Sequence, residues 1–458
     1  MTYSPPPAAR RTDNFTIEGW SLLPGEAMLE ARFTCSEHGP FCERVQFASS
    51  HEAVHHYLAN EGKGLGALLA VALGVSYYKV GAARLIHLPK LSAAGQAMAH
   101  ALYTEGLAEF FVRAGLPFPP DVTVQGDIIP ANNNEPTPAP DADAFKESAL
   151  VAFGGGKDSY VARAILKASN VPVTLSAVIL SDAVKDAISA TAPEPVQFLR
   201  RQLDPRLTEA TKKGFNGHVP ITAINMLMLT IEAGASKKRQ VVFANERSAD
   251  EPTMLLNDRA ANHQYSKSST FETLIRNAIG ESTPSAPVLY SLLRPYSELW
   301  IGRVFSSLKE PFGRFTSCNK NFRLAGDAQQ RWCGACAKCA FTSLILSPFI
   351  DEQEAQQIFG RLFLDEPDLQ PFYEELLGLS EQKPWDCVGT IDECRIALWR
   401  ASQRQPWQNT RAVRTFMPRI LERLDESTLL ALEVRAFEVA PTPIIPEALL
   451  DEAEELSS

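Results

Sequence analysis

The residues with the most chemical content fall into three groups. The first is Gly154-Gly155-Gly156-Lys157-Asp158-Ser159, which follows an apolar run over 149–153 and opens an amphipathic stretch. That order predicts a buried strand, a tight turn and a helix N-terminus. Glycines let the backbone approach a ligand closely, and the free N–H groups of a helix start favour an anion. A phosphate is the expected guest; an ordinary glycine turn is the alternative. The second group is Cys318, Cys333, Cys336 and Cys339, where 14 residues separate the first two and two C-x2-C steps follow. Four thiols so spaced suit a tetrahedral zinc ion, with redox or unligated thiols as the other reading.

The third group is polar and lies just beyond predicted strands. Asn245, Glu246 and Arg247 follow an apolar run. There Glu246 can hold Mg²⁺ or act as a base and Arg247 can clamp a carboxylate bidentately, or the two can form an ion pair closing a turn. His218 follows the turn signal Asn216-Gly217, as a catalytic group or as a histidine bonded to backbone at a helix start. His263, Tyr265 and Lys267 alternate in a polar run suited to phosphates or carboxylates, and equally to a surface loop. Cys387 reads as a structural thiol, with a thiolate base as the alternative. His51, His55 and His56 lie on a helical pattern without a carboxylate partner and read as a helix face.

These residues need elements to hold them. Residues 1–13, rich in Pro, Ala and Arg, read as disordered. Strands are expected at 14–18, 27–35 and 45–48, then helices at 51–73 and 93–113 with a strand at 75–80 between them. This is a small N-terminal α+β region, 14–128. Residues 129–144 have linker composition. Over 145–350 strand and helix alternate: helix 159–168, strand 171–180, helix 183–203, helix 221–232, strand 240–244, strand 287–291 and helix 297–306. This βαβ rhythm implies an α/β fold, a mostly parallel sheet with helices on both faces, and ligands in such sheets sit beyond the carboxyl ends of the strands. From 351 to 458 the pattern is helical and ends in an acidic tail expected to be solvated.

At 458 residues the chain exceeds one typical core. Its 45% apolar and 21% charged residues are those of a soluble globular protein, and a net charge of −10 opposes nonspecific nucleic-acid binding. The first residues lack the apolar core of a signal peptide, and the most apolar window, 65–78, is too short to span a bilayer. A cytoplasmic enzyme acting on a small molecule, with neither a nucleic-acid nor a membrane partner, is expected. Oligomeric state is not legible.

Gly156-Lys157-Asp158 fails the P-loop pattern, since Val151 stands where its first glycine belongs, and Ser159 fails the dinucleotide fingerprint. The stretch resembles instead the S-G-G-x-D-S loop of the N-type ATP pyrophosphatases, with Gly154 in place of the first serine. That resemblance implies an adenine nucleotide alpha hydrolase-like fold, ATP cleaved to AMP and diphosphate, diphosphate on Gly154 to Ser159, and Mg²⁺ on Asp158. A similar four-cysteine structural zinc site occurs in the 7-cyano-7-deazaguanine synthases of that superfamily. Segments 76–80, 216–224, 243–249, 262–268, 315–319, 332–339 and 387–390 together resemble the MurL family, ATP-dependent UDP-MurNAc-L-Ala-L-Glu epimerases of peptidoglycan synthesis. For that reaction, the residues read above as candidates are His218, Glu246, Arg247 and Lys267 as catalytic groups, and Asn245, His263 and Tyr265 against a UDP-MurNAc-dipeptide substrate. A different pyrophosphate-loop enzyme, amidating a carboxylate or modifying tRNA or deazapurines, and a non-catalytic nucleotide-binding regulator are the other readings.

Overall fold

The computed structural model of the chain describes residues 5–6, 9–130, 145–256, 258–318, 331–442 and 444–457. Twelve strands are described: β1 (Asn14–Leu22), β2 (Met28–Cys35), β3 (Gly39–Gln46), β4 (Leu85–His87), β5 (Thr123–Gln125), β6 (Ala149–Ala152), β7 (Val173–Ile179), β8 (Val196–Gln202), β9 (Gln240–Phe243), β10 (Met254–Leu256), β11 (Arg259–Ala261) and β12 (Val288–Ser291). Ten of them form one sheet in the order β12-β9-β6-β7-β8-β3-β2-β1-β4-β5, and β10 and β11 pair separately. The segment from β12 to β8 is parallel, the β8-β3-β2-β1 segment antiparallel, and β4 and β5 add in parallel. Strands before and after the predicted linker thus share a sheet; residues 131–144 of that linker lie outside the described residues.

Successive side chains of a strand point to opposite faces, and here each face has its own core. Leu150, Val241, Phe243 and Leu289 enter one, whereas Ala149, Val151, Val242 and Tyr290 enter the other. Near-continuous apolar runs are what a sheet covered on both faces requires. The helices in chain order are α1 (His51–Asn60), α2 (Lys63–Gly81), α3 (Ala93–Tyr103), α4 (Ala108–Arg113), α5 (Lys157–Ala168), α6 (Asp182–Thr191), α7 (Arg206–Lys213), α8 (Ile221–Ala235) and α9 (Ser269–Ser282). They continue with α10 (Glu298–Leu308), α11 (Ala337–Leu346), α12 (Glu352–Phe359), α13 (Gln370–Leu376), α14 (Ile391–Ser402), α15 (Arg411–Leu421), α16 (Glu426–Phe437) and α17 (Glu447–Ser457). The first core gathers α1, α2, α3, α4, α8 and α9; the second gathers α5, α10, α11 and the C-terminal helices. The α/β architecture expected from the sequence is the one observed.

Four local expectations are corrected. Residues 75–80 are not a strand but the last turns of α2, in which Tyr77 stacks on Phe33 and Tyr78 donates to the Ala83 carbonyl. Burial on nearly all sides overrides the strand preference of Val and Tyr, and Ala82, at φ 44°, ends the helix. This helix is apolar and long enough to cross a membrane by composition, yet it is buried inside the protein. The predicted helix 183–203 breaks at Pro193 and Pro195 into α6 and then β8, where Leu199 and Phe198 pack into opposite cores. The acidic tail is not solvated: as α17 it buries Leu449 and Ala453, one helical turn apart, against α5 and α10. Of the first 13 residues, Arg11 and Thr12 are held, Arg11 donating to the Ala82 carbonyl at 2.8 Å and the Thr12 N–H to that of Gly81 at 2.8 Å.

The antiparallel seam β3–β8 is held by a buried ion pair. Arg201 of β8 donates Nε to Glu43 of β3 at 2.6 Å and Nη2 to Ser76 of α2 at 3.0 Å. Burial pushes the Glu43 carboxyl up, against the opposing pull of Arg201. Breaking such a pair strands a charge in the core, so Glu43→Ala should lower unfolding free energy by about 3–5 kcal/mol. A urea denaturation midpoint close to that of the unmodified chain would contradict this.

Candidate active site

The parallel strands run β12-β9-β6-β7-β8, so the chain winds from β6 one way through β7 and β8 and the other way through β9 and β12. Between β6 and β9 the winding reverses, and in such sheets the ligand crevice lies beyond the carboxyl ends of the strands at that point. The glycine loop leaves β6 there, and Asn245 and Glu246 leave β9 beside it. Gly155 has φ 79°, and a side chain at that position would overlap Thr191 at the end of α6. Gly154 has open space around it, as a ligand-facing position needs. Gly156 caps α5, and the Ser159 hydroxyl donates to its carbonyl at 2.8 Å.

Lys157 turns away from the loop surface. Its buried ammonium pairs with Asp158 and with Glu298, the first residue of α10. Glu246 completes a carboxylate trio with Asp158 and Glu298 whose oxygens lie within 4.8 Å of one another. Burial opposes the Asp158 charge, but Lys157 and Lys338 hold its carboxyl below the usual range. Burial drives Glu298 the other way, up, with the Asp158 and Glu246 carboxylates adding to the rise against the pull of Lys157 and Lys338. Such a trio can hold a divalent cation through oxygen ligands.

A second chain of ionisable groups begins at Lys267. Burial opposes the charge of this ammonium, yet the Cys387 thiolate and the carboxylates of Glu246 and Asp158 raise its affinity for the proton. Cys387 acts in turn on the neighbouring His263, whose Nδ1 meets Glu109 of α4 at 2.5 Å. His218 Nδ1 reaches the same Glu109 oxygen at 3.2 Å, with the two imidazole centroids 4.6 Å apart. The two histidines are driven apart. Burial works against His263, but Cys387 and Glu109 raise it to about 10; burial and the nearby His263 charge lower His218 to about 3. Glu109, despite its burial, is held at about 2 by His263. His263 is an imidazolium and His218 a neutral ring at neutral pH.

Of the residues singled out in the sequence, the crevice brings together the glycine loop, Glu246, Lys267, His263 and His218. Asn245 is buried and donates to Ser291 at 2.9 Å, tying β9 to β12. Tyr265 packs on Phe271. Arg247 is not brought to the crevice: its guanidinium donates to the carbonyls of Ala436 and Glu438 at the end of α16. Glu109 and Glu298 carry no local motif and are not legible as site residues, and Lys338, inside the cysteine motif, shows no role of its own in the sequence. Nor does Arg294, which donates to the carbonyls of Glu246 and Lys267 and to Glu272 and so fixes both loops. His51, His55 and His56 do not gather into a ligand cluster among the described residues.

The four cysteine sulfurs also lie within 4.8 Å of one another, with Cys333 and Cys336 at 3.8 and 3.5 Å from Cys339. Zinc–thiolate bonds of about 2.3 Å in a tetrahedron put sulfurs about 3.8 Å apart, so this set can hold zinc. The Ala335 N–H donates to the Cys333 sulfur at 3.4 Å. The site reaches the crevice in two ways. The Thr316 N–H donates to the Gly155 carbonyl at 3.1 Å, and Lys338, between Cys336 and Cys339, donates to the Cys387 carbonyl.

The His263–Glu109 pair has a defined pH window. His263, raised from 6.5 to about 10, contributes stability that is full below pH 6.5 and lost as pH rises to about 10. Glu109, lowered from 4.5 to about 2, contributes above pH 4.5 and loses this as pH falls to about 2. His263→Gln should therefore cost most stability at about pH 6 and little at about pH 10; a difference from the unmodified chain that does not vary between urea titrations at those pH values would refute the assignment.

Comparison with known proteins adds independent support. The MurL N-terminal domain model matches residues 7–292 and the MurL C-terminal domain model residues 314–430. A UDP-N-acetyl-alpha-D-muramoyl-L-alanyl-L-glutamate epimerase of Micromonospora sp. is 36% identical over 426 residues, 90% of this chain and 92% of that protein. Proteins of the same name from Salinispora tropica and Xanthomonas oryzae pv. oryzae are 34% and 35% identical, over 90% and 81% of this chain and 90% and 82% of their own lengths. A chain matched by both models, and by relatives along nearly all of its length, belongs to the MurL family.

Proposed function

We propose that the protein inverts the Cα of the terminal glutamate in UDP-MurNAc-L-Ala-L-Glu, using ATP and releasing AMP and diphosphate, as a step in making peptidoglycan precursors. The relatives' names supply the substrate. The observation that carries the ATP-dependent part is the meeting, at one sheet switch point, of a phosphate-type glycine loop and a chain of acid–base side chains. Both substrates are those of the cytoplasm, where we place the enzyme.

The chemistry explains why both parts are needed. An α-proton beside a carboxylate is very weakly acidic, because removing it builds a dianion. Adenylation of the glutamate α-carboxylate turns it into an electron-poor mixed anhydride, and the Cα–H becomes removable. A base takes the proton, an acid returns one on the opposite face, and water then releases AMP. Residues 154–156 hold the departing diphosphate through backbone N–H groups and the helix start, and Ser159 would turn its hydroxyl from the Gly156 carbonyl toward it. Lys157 neutralises Asp158 and Glu298 from below the loop. Asp158, Glu246 and Glu298 would hold Mg²⁺, which neutralises phosphate charge when bound. Lys267, near Glu246 and Asp158, would stabilise the enolate oxygen that forms on the adenylated carboxyl group. Cys318, Cys333, Cys336 and Cys339 would hold a structural zinc ion, since four protein ligands leave no open position.

Incubation with ATP, Mg²⁺ and UDP-MurNAc-L-Ala-L-Glu should yield D-glutamate on chiral analysis after hydrolysis, together with AMP and diphosphate. Glutamate that stays entirely L would sink the proposal. Asp158→Asn should reduce AMP release by about a hundredfold or more while leaving the circular dichroism unchanged, since it removes charge but not shape; turnover close to that of the unmodified chain would take the loop out of the mechanism. Cys336→Ser should lose bound zinc on elemental analysis and lower the melting temperature. Because Thr316 bonds to Gly155, it should also weaken ATP turnover, and a zinc-free, fully active variant would contradict the structural role.

A further inference from the structure

Cys387 is unlike the other cysteines outside the four-thiol site. Burial raises the thiols of Cys35 and Cys394, with the nearest acidic groups adding to the effect, as expected of packing residues. Cys387 is half-buried on a loop held against residues 263–267 by Gln264, and its thiol lies among three cationic side chains, Lys267, His263 and Lys338, whose charges act on it. The loop carrying it is fixed at several points. Lys338 donates to its carbonyl, the Cys387 N–H donates to Asp386 at 2.9 Å, and Gln264 holds the Val388 carbonyl at 3.1 Å. Farther along, Glu393 accepts from the backbone N–H of Thr390 at 2.6 Å and of Glu298 at 2.7 Å. The thiol is thus held rigidly next to Lys267, which also feels the charges of Asp158 and Glu246 at the glycine loop.

We propose that Cys387 is the base at the glutamate Cα, held as a thiolate by Lys267 and by a His263 imidazolium that Glu109 positions. This rests on the epimerase reading above. In the step, the Cys387 sulfur takes the α-proton of the glutamyl adenylate. The Cα–H bond breaks, an S–H bond forms, and the electron pair moves onto the activated carboxyl group as an enolate. A solvent-exchangeable N–H or O–H acid on the opposite face protonates Cα, and exchange with water restores both the acid and the thiolate.

Basicity separates Cys387 from its neighbours. Burial works against its charge, but Lys267 and His263 bring the thiol down to about 7, where a general base is most effective at neutral pH. His218, at about 3, is too weak a base, and Lys267 stays protonated. Glu109 is committed to two histidines. His263 is accordingly a positioning residue.

The test uses full-length Cys387→Ser and Cys387→Ala with two readouts. One is exchange of pyrophosphate into ATP in the presence of UDP-MurNAc-L-Ala-L-Glu; the other is deuterium entering the glutamate Cα in D₂O. We expect Cα exchange to fall about a hundredfold or more while pyrophosphate exchange stays within about threefold of the unmodified chain. Cα exchange that survives in either variant overturns the proposal. Loss of both readouts in a folded variant also overturns it, because Cys387 would then be structural. If the unmodified chain shows neither exchange, the failure lies with the underlying epimerase reading. Should the variants misfold, iodoacetamide treatment of the unmodified chain provides the same test, with peptide mapping showing label on Cys387 and none on the four-thiol site. Label that abolishes Cα exchange but spares pyrophosphate exchange supports the proposal, and label that spares both overturns it.

Discussion

Lys157 is an ammonium with almost no access to water, paired with Asp158 beside it and Glu298 from a helix far along the chain. A buried charge of this kind is tolerated only while its partners stay in place. The pairing therefore links the helix after β6 to the helix after β12, and Glu246 brings the end of β9 to the same point. Three neighbouring parallel strands end at one electrostatic knot, on which the glycine loop rests. The three carboxylates of the knot face Lys157 directly and feel Lys338 and Lys267 beside it, so acidic and basic groups from several chain segments balance one another there.

From this knot a line of alternating charge runs through Lys267, Cys387, His263 and Glu109 and ends at the neutral His218. Two histidines on one carboxylate take opposite protonation states: His263 donates at 2.5 Å and gains a second partner in Cys387, whereas His218 is buried next to an existing positive charge. Environment rather than residue type assigns the roles, as expected where acid–base chemistry runs near neutral pH. Backbone carbonyls and buried side chains keep the line in register. Arg294 clamps two of the loops, and Glu393 caps α10 and α14 together.

The periphery serves the crevice. The four-thiol site lends a backbone bond to Gly155 and points Lys338 at the Cys387 loop. The N-terminal strands extend the sheet through the Glu43–Arg201 seam, and the helices packed on them deliver Glu109. A site assembled from so many chain segments requires the whole sheet, which accounts for relatives matching along nearly the full length.

Much of this was legible in the residues alone. The glycine loop, the alternation of strand and helix over 145–350 and the cysteine spacing are local patterns: backbone freedom, burial periodicity and metal-ligand geometry act over a few residues. Local pattern misled where tertiary packing outweighed it. Residues 75–80 have the composition of a strand but are enclosed as a helix, and residues 196–202 pair into the sheet through contacts with β3 and β7. The tail after 446 is acidic, yet a Leu449–Ala453 stripe docks it. Glu109 and Glu298 lie on ordinary helical stretches and Lys338 inside the cysteine motif, and only tertiary packing brings Glu298 to Lys157, Glu109 to the two histidines and Lys338 to the Cys387 loop. Arg247, promising beside Glu246, is instead committed to the end of α16. Residue types set which chemistry was possible; the long-range pairing of charges in a low-dielectric crevice decided which side chains share it and in which protonation state.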